Sequence, residues 1–203
     1  MENVLFKISF PAEFHSQTAC EAAVTLHPQV VDKFNQIEKI IIETQESGVR
    51  IIDKTSPLNN PADRDHCIQY MVAVPLIKGN LTAEDYEDNV AADPLIDELR
   101  NNTEVAENTQ FTVDYLDASK RSIGNSVQVF FKDGSKTEKV SVEYPIGHRR
   151  RRAEGIPVLQ AKFARNLVTR LSPKKSAKIL EIYAEQATLE NTPVNEFTDL
   201  FTL

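Results

Sequence analysis

Residues 126–144 read SVQVFFKDGSKTEKVSVEY, and this stretch decides the fold class. Two runs with the alternating polar and apolar pattern of strands, Ser126–Phe131 and Lys139–Tyr144, flank the pair Asp133-Gly134. An Asp-Gly pair between two such runs is a strong local signal for a hairpin turn, because glycine accepts the backbone angles that the turn needs. The sequence therefore predicts an antiparallel hairpin here.

Outward from the hairpin, apolar periodicity predicts further strands and helices. The predicted strands are Asn3–Phe10, Ile37–Thr44 and Thr103–Ala106. The predicted helices are Phe14–His27, a long helix that begins at Pro61 and continues past Leu76, Thr82–Asp88, Asp93–Arg100, Ile156–Leu171 and two more that begin at Ser172 and Thr192. We expect an α+β fold in residues 1–153, with a mixed, antiparallel-rich sheet, and an all-helical segment in residues 154–203.

Composition narrows the class of protein. The chain has 203 residues, a formal net charge of −7 and 41% hydrophobic residues, which is ordinary for a soluble globular protein. Apolar stretches are too short to cross a bilayer, and no signal-peptide pattern opens the chain. We expect a protein of the cytoplasm, or of the mitochondrial matrix if the source is a eukaryote, with no membrane partner.

A basic run stands out in this acidic chain. Gly147 and His148 are followed by four arginines, Arg149–Arg152. Four adjacent cations suit an anionic ligand or an acidic partner, although a solvated basic loop is the ordinary alternative. His148 and Arg149 together are therefore candidates for binding a carboxylate.

Two other histidines have a context that permits chemistry. His15 lies at a strand-to-helix turn, after the predicted strand that carries Lys7, and a side chain in such a turn can face a ligand. The alternative is that His15 only caps the helix. His66 closes the run Asp63-Arg64-Asp65-His66, with Tyr70 one helical turn later and so on the same predicted face. The alternative for Arg64 and His66 is a charged first helical turn.

Four segments of the chain resemble the MmgE/PrpD family: Phe6–His15, Asn60–Met71, Glu143–Arg152 and Thr192–Phe197. The resemblance runs in order over essentially the whole chain but covers only the C-terminal portion of the family's length. Together with the abrupt start in a strand, it leads us to expect a truncated chain. It implies an α+β lid domain for residues 1–153, followed by helices of residues 154–203 that return to an all-helical domain absent from this sequence.

The resemblance also implies a reaction. It is the elimination of water from 2-methylcitrate to give 2-methyl-cis-aconitate, a step of propionate catabolism in the 2-methylcitrate cycle. Lys7 would neutralise a substrate carboxylate, and His15 would donate or accept a proton. One or more of a further set would bind carboxylates: Arg64, His66, His148 and Arg149.

The resemblance implies no cofactor, and specifically no iron–sulfur cluster. The cysteine count agrees, because a cluster held by protein thiolates uses about four cysteines and this chain has two. Spacings typical of zinc ligands are absent from the sequence. We therefore expect no metal.

Two other functions stay open at this stage. The chain could be an inactive fragment that needs the absent helical domain, with a homo-oligomer possible. It could instead bind nucleic acid or a protein partner through Arg149–Arg152. An acidic chain with 7% aromatic residues is a poor fit to nucleic-acid binding, so we expect none.

Overall fold

A computed structural model describes residues 7–202 and confirms the α+β class. Four strands form one mixed sheet in the order β2-β1-β3-β4. The central strand β1 is parallel to β2 and antiparallel to β3, which is antiparallel to β4. The strand bounds are β1 Ile37–Thr44, β2 Thr103–Glu107, β3 Asn125–Phe131 and β4 Val140–Val142.

The predicted hairpin joins β3 to β4. Gly134 takes a left-handed φ of +83° in the turn, and its N–H donates to the Phe131 carbonyl at 2.9 Å. β4, Val140–Val142, is shorter than the predicted strand Lys139–Tyr144. In the connection before it, the Thr137 hydroxyl accepts the Val129 N–H at 3.1 Å. The ladder resumes only at Val140.

The helices are α1 Gln17–Val30, α2 Glu46–Ile52, α3 Pro61–Asp65, α4 Ile68–Lys78, α5 Asp88–Ala91, α6 Pro94–Asn101, α7 Thr109–Leu116, α8 Arg152–Leu167, α9 Pro173–Ala184, α10 Gln186–Asn191 and α11 Val194–Asp199. Short 3-10 helices span Phe14–Ser16, Phe34–Gln36, Ala83–Tyr86 and Arg149–Arg151. The predicted stop at Pro28 is wrong: α1 continues to Val30, because proline removes only its own N–H and the Val31 N–H still reaches the His27 carbonyl.

The predicted long helix from Pro61 is two helices. The Asn60 side chain caps α3, accepting the Asp63 N–H at 3.0 Å. The chain then leaves helical geometry at His66 and Cys67 before α4 begins. His66 and Tyr70 therefore do not share one helix face, and that prediction is wrong.

The predicted first strand lies partly outside the described residues. Within them, residues 7–10 are not in a strand. Gln17 instead holds this segment in place, because its side-chain amide donates to the Phe10 and Ala12 carbonyls at 2.9 Å each. The segment leads directly into the 3-10 helix Phe14–Ser16.

The main core lies between the sheet and two helices. α1 packs against α4, β3 and β4, and Ile40 and Ile42 of β1 are fully buried in the same cluster. Ile41, between them, points to the opposite face and is only partly buried. The sheet thus buries one face against the helices.

The chain divides into two compact units, one ending at Arg152 and the other beginning at Ala153. The second unit is helical and has a small core of its own, Leu167, Ile179 and Leu200. The Ser172 hydroxyl caps α9 there, accepting the Lys175 N–H. The assignment of the units to a lid and to returning helices stays a prediction.

Candidate active site

His15 is held from both sides of its ring. It belongs to the 3-10 helix Phe14–Ser16, whose N-cap is Glu13. Its Nδ1 lies 2.8 Å from Oε1 of Glu13, and its Nε2 lies 3.2 Å from the Tyr115 hydroxyl. The His15 main-chain N–H also donates to Glu13 at 2.8 Å. Two contacts thus hold the ring, and a third holds its main chain.

The charge of Glu13 selects the tautomer of His15. Burial alone would raise the pKa of the Glu13 carboxyl, but hydrogen bonds from the His15 ring and main chain and the His15 charge outweigh it, so the pKa is lowered. The ionised carboxylate accepts a hydrogen bond from Nδ1–H, and this leaves Nε2 facing the Tyr115 hydroxyl. This arrangement orients a histidine for proton transfer.

A cleft of about 300 Å³ opens beside the ring. Its polar lining is His15, Tyr115 and Arg121, and its apolar lining is Phe14, Leu116 and Ile123. Mostly apolar walls with a few convergent polar groups are typical of a small-molecule site. Of the residues predicted from sequence, only His15 lines this cleft.

Lys7, His66 and Glu13 all lie close enough to Asp65 for their charges to act on its pKa. His66 Nδ1 lies 3.7 Å from Oδ2 of Asp65. Burial raises the pKa of Asp65, and the Glu13 carboxylate adds to the rise, while the charges of Lys7 and His66 oppose it. A carboxyl group that holds its proton to higher pH suits an acid in proton transfer. Within the described residues, Oδ1 of Asp65 is buried without a hydrogen-bond partner.

Arg64 lies elsewhere, although it is only two residues from His66. Its side chain is buried and donates to the Tyr86 carbonyl at 2.5 Å and to Asp88 at 2.7 Å. It lines a different cavity of about 470 Å³, together with Arg100 and Asp97. The structure does not bring Arg64 to the His15 cleft, and its role in binding substrate stays a prediction.

His148 is buried rather than in a solvated loop. Its ring contacts the Tyr144 ring at a tilt of 32° with 4.5 Å between centroids, and its Nδ1 accepts the Arg150 N–H at 3.2 Å. Burial and the neighbouring charges of Arg149 and Arg150 lower the pKa of His148. The ring therefore caps the 3-10 helix Arg149–Arg151 as a neutral group.

The arginine run makes contacts within the first unit. Arg149 and Arg150 both donate to the Ser119 carbonyl, at 3.3 and 3.0 Å. Arg151 forms two parallel hydrogen bonds with the Glu21 carboxylate, at 2.8 and 2.9 Å. Such two-point pairs are the strong form of an arginine–carboxylate contact. The run therefore fastens the loop around Ser119 and helix α1.

Sequence reasoning missed Tyr115 and Arg121. Tyr115 lies in α7, which was not predicted, although Asn108 followed by Phe111 carried the signal of a capped helix. The Asn108 side chain does cap α7, accepting from Gln110 at 3.0 Å and Phe111 at 3.3 Å. Nothing in the sequence marks Arg121 as a site residue, because what distinguishes it is its positive backbone φ of +51°.

His148 makes stability depend on pH. The folded state lowers its pKa, so the unfolded chain takes up this proton first, and the free energy of unfolding falls as the pH drops below about 6.5. His148→Asn keeps a cap acceptor but cannot titrate. We expect a smaller drop between pH 7 and pH 5.5 than in the unchanged chain, measured by urea unfolding. An identical drop in both chains would contradict this origin.

Within residues 7–202, no helix is long and apolar enough to span a membrane. In the same range no three or more His, Cys, Asp or Glu side chains are grouped so as to hold a metal ion.

Comparisons with known proteins agree with the resemblance. The profile of the MmgE/PrpD C-terminal domain matches residues 10–187. The chain is 56% identical to the 2-methylcitrate dehydratase of Escherichia coli K12 over 206 residues, covering 100% of this chain and 43% of that protein. It is 54% identical to the Cupriavidus necator enzyme of that name, with 100% and 43% covered. For the mitochondrial 2-methylcitrate dehydratase of Yarrowia lipolytica the identity is 52%, with 99% and 39% covered.

The chain thus spans about two fifths of the length of these curated relatives. The match to the family profile covers most of the chain. It includes His15 and Tyr115, which line the cleft, and Glu13, which contacts the His15 ring. By this profile and these relatives, the chain belongs to the MmgE/PrpD family, as a C-terminal domain of it.

Proposed function

We propose that this chain is the C-terminal part of a 2-methylcitrate dehydratase, which removes water from 2-methylcitrate to give 2-methyl-cis-aconitate in the 2-methylcitrate cycle. Relatives that carry this name are more than 50% identical over the chain's full length. The observation that carries the proposal is His15, fixed between Glu13 and Tyr115 on the wall of a cleft.

The reaction needs three kinds of group. A base removes a proton next to a carboxylate, an acid protonates the departing hydroxyl, and cations hold the carboxylates whose charge grows in the transition state. We assign proton transfer to His15, and neutralisation of a carboxylate to Lys7. The position of His66 beside Asp65 and near Lys7 supports it as a second carboxylate-binding residue.

The other predicted binding residues have weaker support. Arg149 contacts the loop that carries Arg121, so it acts on the cleft through that loop. His148 is buried under Tyr144, and the contacts of Arg64 are with Tyr86 and Asp88. Arg64, His148 and Arg149 do not line the cleft, and their binding of substrate carboxylates stays a prediction.

We propose that the reaction needs no iron–sulfur cluster. Both cysteines of the chain are buried, and burial raises the pKa of the Cys20 thiol to about 12, so it is a poor thiolate ligand. Such a cluster uses about four thiolates, whereas this chain has two cysteines.

We propose that the second unit packs on a helical domain formed by the preceding part of a longer protein. Several of its apolar side chains are exposed: Ile156, Leu159, Val168, Val194 and Phe201. Exposed apolar area of this kind favours association. We place the protein in the cytoplasm, or in the mitochondrial matrix if its source is a eukaryote, as the name of the Yarrowia lipolytica relative suggests.

Nucleic-acid binding through the arginine run is not favoured. Arg151 is paired with Glu21, and Arg149 and Arg150 contact Ser119. Binding to nucleic acid that weakens steeply with salt would revive this alternative.

A chimera tests the proposed function. In it, this chain replaces the matching C-terminal part of the Escherichia coli relative. We expect the chimera to convert 2-methylcitrate into a product with the ultraviolet absorbance of a conjugated alkene, and the 203-residue chain alone not to do so, since it supplies only part of the site. The intact Escherichia coli enzyme is the positive control. A folded chimera without this activity would contradict the proposal.

A further inference from the structure

Arg121 is the one residue of the cleft lining with a strained backbone. Its φ is +51°, and among the described residues other than glycine it alone has a positive φ. The left-handed region costs an L-residue such as arginine roughly 1–2 kcal/mol. Asn or Gly would occupy this position with less strain, so the fold alone does not account for an arginine here.

The loop of Arg121 is held firmly from several sides. The Arg121 N–H donates to the Asp117 carbonyl at 2.8 Å, closing a tight turn. Arg149 and Arg150 both bind the Ser119 carbonyl, two residues before Arg121. Lys120 pairs with Asp114 at 2.7 Å. These contacts fix the backbone that presents Arg121 to the cleft.

The guanidinium group of Arg121 itself has no partner within residues 7–202. The hydrogen bonds and ion pairs recorded in that range do not involve its side chain. It nevertheless lines the same cleft as His15 and Tyr115. A cation that is unpaired, carried on a fixed backbone and part of the same cleft lining as a proton-transfer group is suited to an anionic ligand.

We propose that Arg121 binds a carboxylate of the substrate by two parallel hydrogen bonds and so places the reacting carbon next to His15. This inference rests on the proposed function and adds a substrate-binding residue to it. The apolar lining from Phe14, Leu116 and Ile123 would contact the carbon skeleton. The basic run supports this binding, because Arg149 and Arg150 hold the loop that carries Arg121.

The test measures binding of tricarballylate, a tricarboxylate without a hydroxyl group, to the full 203-residue chain by calorimetry or NMR titration. Arg121→Gly removes the cation and relieves the backbone strain. We expect its Kd to rise roughly 10- to 100-fold, as for the loss of a charged hydrogen-bonded contact. Arg121→Lys keeps the charge without the planar fork and should be intermediate. The trimethyl ester of tricarballylate should bind neither chain.

Two controls separate binding from structure. Lys39→Gln removes a surface cation that is paired with Glu104 at 3.4 Å and does not line the cleft, and its Kd should change less than about twofold, as expected for a paired surface charge. Urea unfolding of Arg121→Gly should give a free energy of unfolding equal to or above that of the unchanged chain. A lower value would show that Arg121 has a structural role, and would overturn the proposal.

Failure of this inference is distinguishable from failure of the proposed function. If the unchanged chain does not bind tricarballylate, or if Arg121→Gly binds it equally well, Arg121 is not a carboxylate-binding residue, even if the chimera is active. If the chimera is inactive while tricarballylate binding depends on Arg121, the cleft still binds carboxylates and only the proposed reaction is wrong.

Discussion

His15→Asn in the chimera is expected to lower kcat about 10²- to 10⁴-fold, the usual contribution of a positioned acid or base. The asparagine amide can still donate to Glu13 in place of Nδ1, so the local fold is retained. It cannot take up or release a proton at the position of Nε2, which faces Tyr115 at 3.2 Å. The measurement is steady-state dehydration of 2-methylcitrate.

His27→Asn is the matched control for this experiment. His27 also has a ring nitrogen in a hydrogen bond, since its Nδ1 lies 2.8 Å from the Leu76 carbonyl, but it does not line the His15 cleft. We expect His27→Asn to change kcat less than about twofold, since a variant far from the chemistry mainly affects stability. Equal kcat values for His15→Asn and the unchanged chimera would remove His15 from the mechanism.

Ile42→Ala is expected to lower the free energy of unfolding by about 2–5 kcal/mol, because it leaves a cavity in the centre of the core. Ile42 is fully buried on the central strand β1, between its partners Val105 of β2 and Val127 of β3. Surrounding strands and helices limit how far this site can collapse. The measurement is urea unfolding of the 203-residue chain.

Ile41→Ala is the control, since it deletes the same atoms one residue away. Ile41 faces the other side of the sheet and is partly exposed, so its loss should cost less than half as much as the loss of Ile42. Similar losses for the two variants would mean that both faces of the sheet are equally buried. The described arrangement of helices on the sheet would then be wrong.

The local elements of the fold could be predicted from sequence. β1 was predicted with its observed bounds, because an isoleucine-rich run is bounded by polar residues. The β3–β4 hairpin followed from one Asp-Gly pair. The parallel pairing of β1 with β2 could not be predicted, because five α-helices, α2 to α6, and not a turn separate Ile40 from Thr103 along the chain.

The candidate site could be named from sequence where the family resemblance marks its residues. His15 contacts Glu13, and the charges of Lys7 and His66 act on Asp65, but their roles stay predictions. The Tyr115 contact with His15 spans 100 residues and depends on an unpredicted helix. Helix breaks are set by tertiary packing, so His66 could not be placed relative to Tyr70 in advance.

The pair between Arg151 and Glu21 joins residues that are 130 positions apart. During synthesis from the N-terminus, α1 therefore emerges from the ribosome long before β3, β4 and the arginine run, which pack against it in the folded chain. During that interval the apolar side of α1 is uncovered, which is the condition under which nascent chains attract chaperones. Translation pauses upstream of residue 125 should consequently increase chaperone occupancy.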